Sequence, residues 1–467
     1  MMYNGPRRSR GRAAVAAVVM AAAIVSCTDL VRAPLAPQDA LAKGGGGTGV
    51  PSVASASPSY GYQGDVARQV SVTGSGFAAG AVAAWERNGA PDLKVTVLST
   101  QFVSSTQLTA TITIAADADI ALYDVSVENP DRKKGIGTSL FEITTAEVLG
   151  TLGRSSYVTD MNDAGAIAGY CTGNAGCTGA FVYEDGPGMV ALGSGQAWGT
   201  DPLGSMVLGR DGSLRAMAWV KQPGGSYVAE LLPSPGGVVS NASSGARDGT
   251  GSLIVGGWDQ IKLSKNNTPN RPVVWTRVGN AWSAPVFYAH PGTASSITDL
   301  NGSGQAVGRW DGQYGVAWEN ATTYTTLDGI PLSINDAGNV VVGERNGLPV
   351  FWVRNATTLA WIGTGVALPS ISGTSCGPYA LTAEDVNDFG IIVGTSCNGS
   401  CRQATVWRLD MSGATPVLVG GAQGLPGLGA AGSDKSGAVA VSRNAPYIVA
   451  GGAAPNGQNL VVRWVLP

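Results

Sequence analysis

Asn162-Asp163-Ala164-Gly165, followed by Ala166-Ile167-Ala168-Gly169, is the stretch that decides the fold. Asn, Asp and Gly tolerate the positive φ of a tight turn, so the quartet reads as a hairpin turn and the run after it as a strand. The same text returns as Asn301-Gly302-Ser303-Gly304, Asn335-Asp336-Ala337-Gly338 and Asn387-Asp388-Phe389-Gly390. Weaker versions stand at Asp201-Pro202-Leu203-Gly204, Asp248-Gly249-Thr250-Gly251 and Asn444-Ala445-Pro446-Tyr447. Each turn leads to a short run ending in glycine: Gly169, Gly209, Gly256, Gly308, Gly343, Gly394 and Gly451. A second run then closes on an aromatic, Tyr183, Trp219, Trp275, Trp318, Trp352, Trp407 or Trp464, and a further short strand such as Met189–Gly193 follows. Four short strands per repeat of this size make a propeller blade.

The last repeat stops at Val465-Leu466-Pro467, directly after its Trp strand. The array begins with Val148-Leu149-Gly150-Thr151-Leu152-Gly153, which reads as a fourth strand with no blade before it. Pairing the two closes the ring and removes its bare edges. The six matching tryptophans are then packing between blades rather than a sugar-stacking set. Ahead of the ring, alternating runs such as Val70–Thr73, Gln107–Ile114 and Leu122–Val127, bounded by Gly, Pro, Asn or Ser, read as about seven strands of a sandwich. The expected fold is all-β: an Ig-like β-sandwich followed by a roughly seven-bladed β-propeller closed by its N-terminal strand.

Composition narrows the function. The chain has 467 residues with 68 glycines, 13% charged residues and a net charge of −3, so it lacks the basic surface that nucleic acid demands. One histidine, His290, leaves no room for a histidine-based triad or a multi-histidine metal site. No paired-carboxylate constellation is legible, and neither a catalytic residue nor a cofactor is expected.

The N-terminus carries Arg7, Arg8, Arg10 and Arg12 before an apolar run from Ala13 to Val25. That is a signal-peptide pattern, too short for a comfortable membrane span. Its end, Ile24-Val25-Ser26-Cys27, resembles the bacterial lipobox. The resemblance implies lipidation of Cys27 and export to the cell envelope, with the membrane as a partner through the lipid. The alternative is an ordinary secretory signal with a bystander cysteine. Residues 1–27 are thus assigned to the signal, 28–50 to a flexible Pro/Ala/Gly tether, 51–145 to the sandwich and 146–467 to the propeller.

Val72-Thr73-Gly74-Ser75-Gly76-Phe77, Ser105-Thr106-Gln107-Leu108-Thr109-Ala110 and Tyr123-Asp124-Val125-Ser126-Val127-Glu128-Asn129-Pro130 resemble the IPT/TIG family of Ig-like modules. That resemblance implies a spacer or protein-contact role. The Leu149-Gly150-Thr151-Leu152-Gly153 run with the repeated Asn-Asp turns resembles the bacterial HAF-repeat family, though Gly179 stands where the family has its histidine. It implies a secreted propeller. The leading expectation is a non-enzymatic, lipid-anchored envelope protein that binds an unknown protein or glycan. The alternatives are a propeller enzyme acting on polysaccharide and a purely structural envelope component.

Trp198, Trp258-Asp259 and Arg309-Trp310-Asp311 fall outside the repeat register and are expected in loops on one face, as candidate ligand contacts. Cys171 with Cys177, and Cys397 with Cys401, occupy matching places and suggest two local disulfides. Cys376 is left over and leaves that connectivity open. The Asn-Asp turns themselves, on the opposite face, are expected to serve the architecture alone.

Overall fold

The computed structural model describes residues 49–466 except 154, 174–178, 237–238, 265–267, 313, 356–357, 359, 373–380, 399–400, 427–434, 444–446 and 455–457. Cys27, most of the tether, Cys177, Cys376 and the side chain of Cys401 lie outside the described residues. Among the described residues every regular element is a strand.

The first unit has strands β1 (Ser52–Ser57), β2 (Tyr60–Tyr62), β3 (Arg68–Ser75), β4 (Val82–Arg87), β5 (Ala90–Pro91), β6 (Val95–Ser104), β7 (Gln107–Ile114), β8 (Ala121–Glu128) and β9 (Lys134–Gly150). They form two sheets, β1-β3-β7-β6 and β5-β4-β8-β9, with β2 alongside β9. Strand β7 shows why the sheets pack: Leu108, Ala110, Ile112 and Ile114 are buried while the residues between them are not. These side chains meet Trp85 and Phe141, whose rings stand edge to face 5.4 Å apart.

The rest of the described chain is a run of four-stranded antiparallel sheets taken in sequence order. The first is β10 (Ser155–Met161), β11 (Ile167–Thr172), β12 (Ala180–Glu184) and β13 (Gly188–Gly193). The second is β14 (Gly195–Thr200), β15 (Met206–Asp211), β16 (Ala216–Lys221) and β17 (Tyr227–Leu231). Next come β18 (Ser240–Arg247), β19 (Leu253–Gln260) and β20 (Asn270–Val278), whose outer edge is shared by β21 (Ala281–Trp282) and β22 (Val286–Phe287). Then follow β23 (Ser295–Leu300), β24 (Ala306–Trp310), β25 (Tyr314–Trp318) and β26 (Tyr324–Leu327), and β27 (Ile330–Ile334), β28 (Val340–Arg345), β29 (Leu348–Val353) and β30 (Val366–Ala367). The run continues with β31 (Ala383–Val386), β32 (Ile391–Asn398), β33 (Cys401–Asp410) and β34 (Val417–Gly424), and ends with β35 (Lys435–Val441), β36 (Tyr447–Ala454) and β37 (Leu460–Leu466).

That last sheet has three strands of its own, and β9 supplies the fourth. Strand β9 is 17 residues long and changes partner midway: it pairs with β8 up to Ile143 and with β37 from Thr145 to Gly150. The closing strand expected at Val148–Gly153 therefore starts earlier and is continuous with the first unit. The junction is tied further by Arg408 to Glu142 at 2.6 Å and by the Tyr62 hydroxyl, which donates to the Gly424 carbonyl at 2.9 Å. Between each sheet and the next lies an apolar cluster. The seam between last and first is filled by Ala440, Ala450 and Val461 against Ile167 and Phe181. The ring is closed, and this second unit is a β-propeller.

Trp219, Trp275, Trp318, Trp352, Trp407 and Trp464 are all buried in these seams. Five of the indoles donate to a group just ahead of the first strand of their own sheet or in the loop leading to it: Trp275 to Pro233, Trp318 to Ala289, Trp407 to Pro369, Trp464 to Pro426, and Trp352 to the Asp328 carboxylate. A large apolar body fills the seam while its one polar atom is satisfied, which is the packing role expected.

The recurrent glycine has a steric cause. Every innermost strand carries a β-bulge, and the residue just before it pairs with a glycine: Val158 with Gly169, Ala197 with Gly209, Ile297 with Gly308, Ala438 with Gly451. At Gly308 an added Cβ would lie 2.0 Å from the Ser296 carbonyl oxygen. In the β18–β19 pair the bulge-side partner is Gly257, not the expected Gly256. A Cβ on Gly256 would instead meet the Leu300 and Ile297 side chains of the next sheet, so Gly257 makes room for a carbonyl and Gly256 for the seam packing. Gly308→Ala is expected to cost on the order of 3 kcal/mol through backbone displacement, whereas Gly421→Ala, with open space around it, is not. Thermal melts of the two variants check this; equal melting temperatures would contradict the account.

Candidate functional site

The repeated turns are built by their own first residue. The Asn162 side-chain oxygen accepts from the amides of Ala164 and Ala166, and Asn387 does the same for Phe389 and Ile391. Asp201 and Asp248 take this place in the weaker turns, which have the same form. The amide of Asn387 also donates to the Ser442 carbonyl, and that of Asn301 to the Asp336 carbonyl, so turns are tied to their neighbours across the seam. The Asp that follows Asn162, Asn335 and Asn387, and Arg443 after Ser442, then stand at the ring axis. Asp163, Asp336, Asp388 and Arg443 meet there around one end of a narrow cavity of about 80 Å³.

Deeper in the cavity, the residue after each bulge lies in a common register: Asp160, Gly199, Ser244, Asp299, Ser333, Asp385 and Ala440. Three carboxyl groups thus come from three different sheets to one channel. Each holds the inner strand of the following sheet by a backbone amide: Asp160 accepts from Thr200 at 2.7 Å, Asp299 from Ile334 at 2.9 Å and Asp385 from Val441 at 2.9 Å. The Ser333 hydroxyl lies 2.9 Å from Asp299 and 2.7 Å from Asp385. A hydroxyl has one proton to give, so a carboxyl proton completes the second of these bonds.

Burial raises these acids. Asp160 is pushed up to about 7 by burial, helped by the charges of Asp385 and Asp299 and opposed by the bonds from Thr200. Asp299 is pushed up to about 6 by the same cause, with Asp385 adding, and Asp385 is raised by burial too. At the mouth, Asp163 and Asp336 are also raised by burial, while Arg443 pulls both back. The Arg443 guanidinium sits 2.7 Å from Asp336 and 3.5 Å from Asp163, bridging sheets across the axis. Among the described residues no group of three or more His, Cys, Asp or Glu is arranged to hold a metal ion.

The channel corrects one reading: no paired-carboxylate constellation was legible in the sequence, yet carboxyl groups converge here, on the face of the Asn-Asp turns. The signal in the sequence is an Asp two positions before the turn Asn, in Asp160-Met161-Asn162, Asp299-Leu300-Asn301 and Asp385-Val386-Asn387.

The residues singled out earlier sit elsewhere. Trp198, Trp258 and Trp310 are in strands β14, β19 and β24 rather than in loops, because those strands run past the register glycine or reach back before it. Trp198 occupies the bulge position of β14 and leans on Tyr170, which stacks on Tyr157. Trp310 stacks on Tyr314 at 4.5 Å. Asp259 is buried, binding Ser234, the Gly236 amide and Arg271. Asp311 accepts from the Thr293 and Ala294 amides and so ties down the loop before β23. Arg309 is exposed beside Trp310. No ring contact joins Trp198, Trp258 and Trp310. Cys171 and Cys397 are buried, and no described cysteine is a free thiol.

No protein-family model matches the chain, and no curated protein does. Solved structures do. A structure of U3-55K is 13% identical, with 69% of this chain and 98% of that chain covered and a TM-score of 0.45. The RRP9 WD40 repeats are 13% identical over 69% and 97%, with a TM-score of 0.46. The β-propeller domain of the Trilobed protease from Pyrococcus furiosus is 8% identical over 89% and 94%, with a TM-score of 0.30. Nothing about function passes to this chain from likenesses of that depth.

The raised acids have a consequence for stability. An Asp with an ordinary value releases its proton near 3.8, whereas folded Asp160 keeps it to about 7. The folded state binds more protons in that window, so this contribution is complete below the ordinary value and is lost as pH rises through 7. Asp160→Asn removes the titration. Relative to the unchanged protein, its melting temperature is expected to be higher at pH 8 than at pH 5; an equal difference at both would contradict the burial described.

Proposed function

We propose that this chain is a non-enzymatic binding protein whose acidic mouth receives a basic side chain of a protein partner. The reading includes a finer architecture: the first unit as an Ig-like module of IPT/TIG type, the ring as a seven-bladed propeller of HAF-repeat type, and a lipid on Cys27 holding both at the bacterial envelope. One observation carries the binding role. Among the described residues, Asp163, Asp336 and Asp388 at the mouth, with Asp160, Asp299 and Asp385 below, line a cavity with one guanidinium, that of Arg443. A carboxylate removed from water regains stability from a cation at short range. Arg443 itself indicates the kind of group that fits, since its guanidinium already bridges Asp336 and Asp163.

The enzyme reading has the Asp299–Ser333–Asp385 bridge in its favour. Against it, those oxygens hold neighbouring strands, so moving their protons would loosen the ring. A glycan contact remains the second reading, favoured by the Trp310–Tyr314 stack with Tyr314 half exposed and Arg309 beside it.

Peptides of matched length carrying Arg, Lys or Glu at the centre test the binding role. The full chain is expected to retain the basic peptides, less so as salt rises, and Asp336→Asn with Asp388→Asn is expected to weaken them about tenfold or more. Equal retention of acidic and basic peptides would contradict the proposal. The anchor has its own test. Cells expressing the chain and fed labelled palmitate are expected to label it, and Cys27→Ser to abolish the label; label persisting in the variant would remove the lipid from the account.

A further inference from the structure

Phe389 stands in the turn Asn387-Asp388-Phe389-Gly390, where the other turns have Ala164, Leu203, Thr250, Ser303 and Ala337, so it is the one aromatic at this position among them. Alanine suffices for the turn, because the bonds that build it come from Asn387 and the backbone. Yet Phe389 is 57% exposed. A lone exposed apolar side chain is ordinary, and what distinguishes Phe389 is its neighbour. Its ring lies 5.9 Å from that of Tyr447, on the second strand of the next sheet, so the two form an apolar shelf across the seam. The residue before it, Asp388, lines the mouth, and the Asp388 carboxylate is fixed by accepting from the Ala337 amide at 2.8 Å.

We infer that the mouth and the Phe389–Tyr447 shelf are one docking surface for an extended peptide segment of a partner protein. Its basic side chain enters the mouth and an apolar side chain nearby in its sequence lies on the shelf. The inference rests on the acidic-mouth reading and adds the specificity that charge alone does not give. Charge complementarity chooses the occupant: the mouth is acidic, and the shelf begins at the next residue. In an extended segment, side chains two positions apart point the same way and are about 7 Å apart, which sets the spacing of the probes.

Two synthetic peptides serve as probes against the full chain. One has Arg among glycines; the other has Phe two positions from the same Arg. The second is expected to bind about tenfold more tightly, the increment of a well-packed aromatic contact. Phe389→Ala is expected to erase that advantage and leave the first peptide's affinity unchanged, with the melting temperature preserved. Asp336→Asn is expected to weaken both peptides alike. If the first peptide binds but the Phe adds nothing, or its advantage survives Phe389→Ala, the shelf is refuted while the mouth stands. If neither peptide binds the unchanged chain, the mouth reading fails and the shelf with it.

Discussion

A strand that alternates regularly cannot present the same face to its neighbour on one side and to the ring axis further along. The bulge in each innermost strand resolves this. One extra residue, Thr159 in β10 or Glu384 in β31, breaks the alternation, so Val158 and Met161 face one seam while Asp160 between them faces the next sheet. The opposing strand approaches closely at that point, and only glycine leaves space for the carbonyl. Register of the sheets, the position of the channel carboxyls and the repeat glycines all follow from that one irregularity.

Closure is the second dependence. Strand β9 belongs to both units, so the edge of the propeller is completed by the same chain segment that finishes the first unit. No linker separates them, and Arg408–Glu142 adds an ion pair at the seam. A mouth that gathers groups from sheets far apart in sequence, Asp163 and Arg443 among them, needs the ring shut to hold them together.

Much of this was legible in the sequence. The Asn-Asp turns, the seam tryptophans and the closing strand follow from turn chemistry, aromatic size and the need to cover edges. The channel was not, because period-two reading of Tyr157–Met161 assigns Val158 and Asp160 to one face, and a bulge has no residue signature of its own. The Gly256-Gly257 pair shows the same limit: two glycines in a row give no means of choosing the one opposite the bulge. Trp198 was placed in a loop for a related reason, since it is the bulged residue itself and fits no strand pattern.

The central claim is that a closed ring brings acids from separate sheets to a common axis, where partial burial raises them. Carbon NMR of the intact chain with labelled aspartate carboxyls, assigned at Asp160 by loss of its signal in Asp160→Asn, measures this directly. The account predicts that the Asp160 carboxyl titrates with a midpoint of about 7. A midpoint near 3.8, the value of a carboxyl in water, would mean that the axis is open to solvent and does not raise the acids as described.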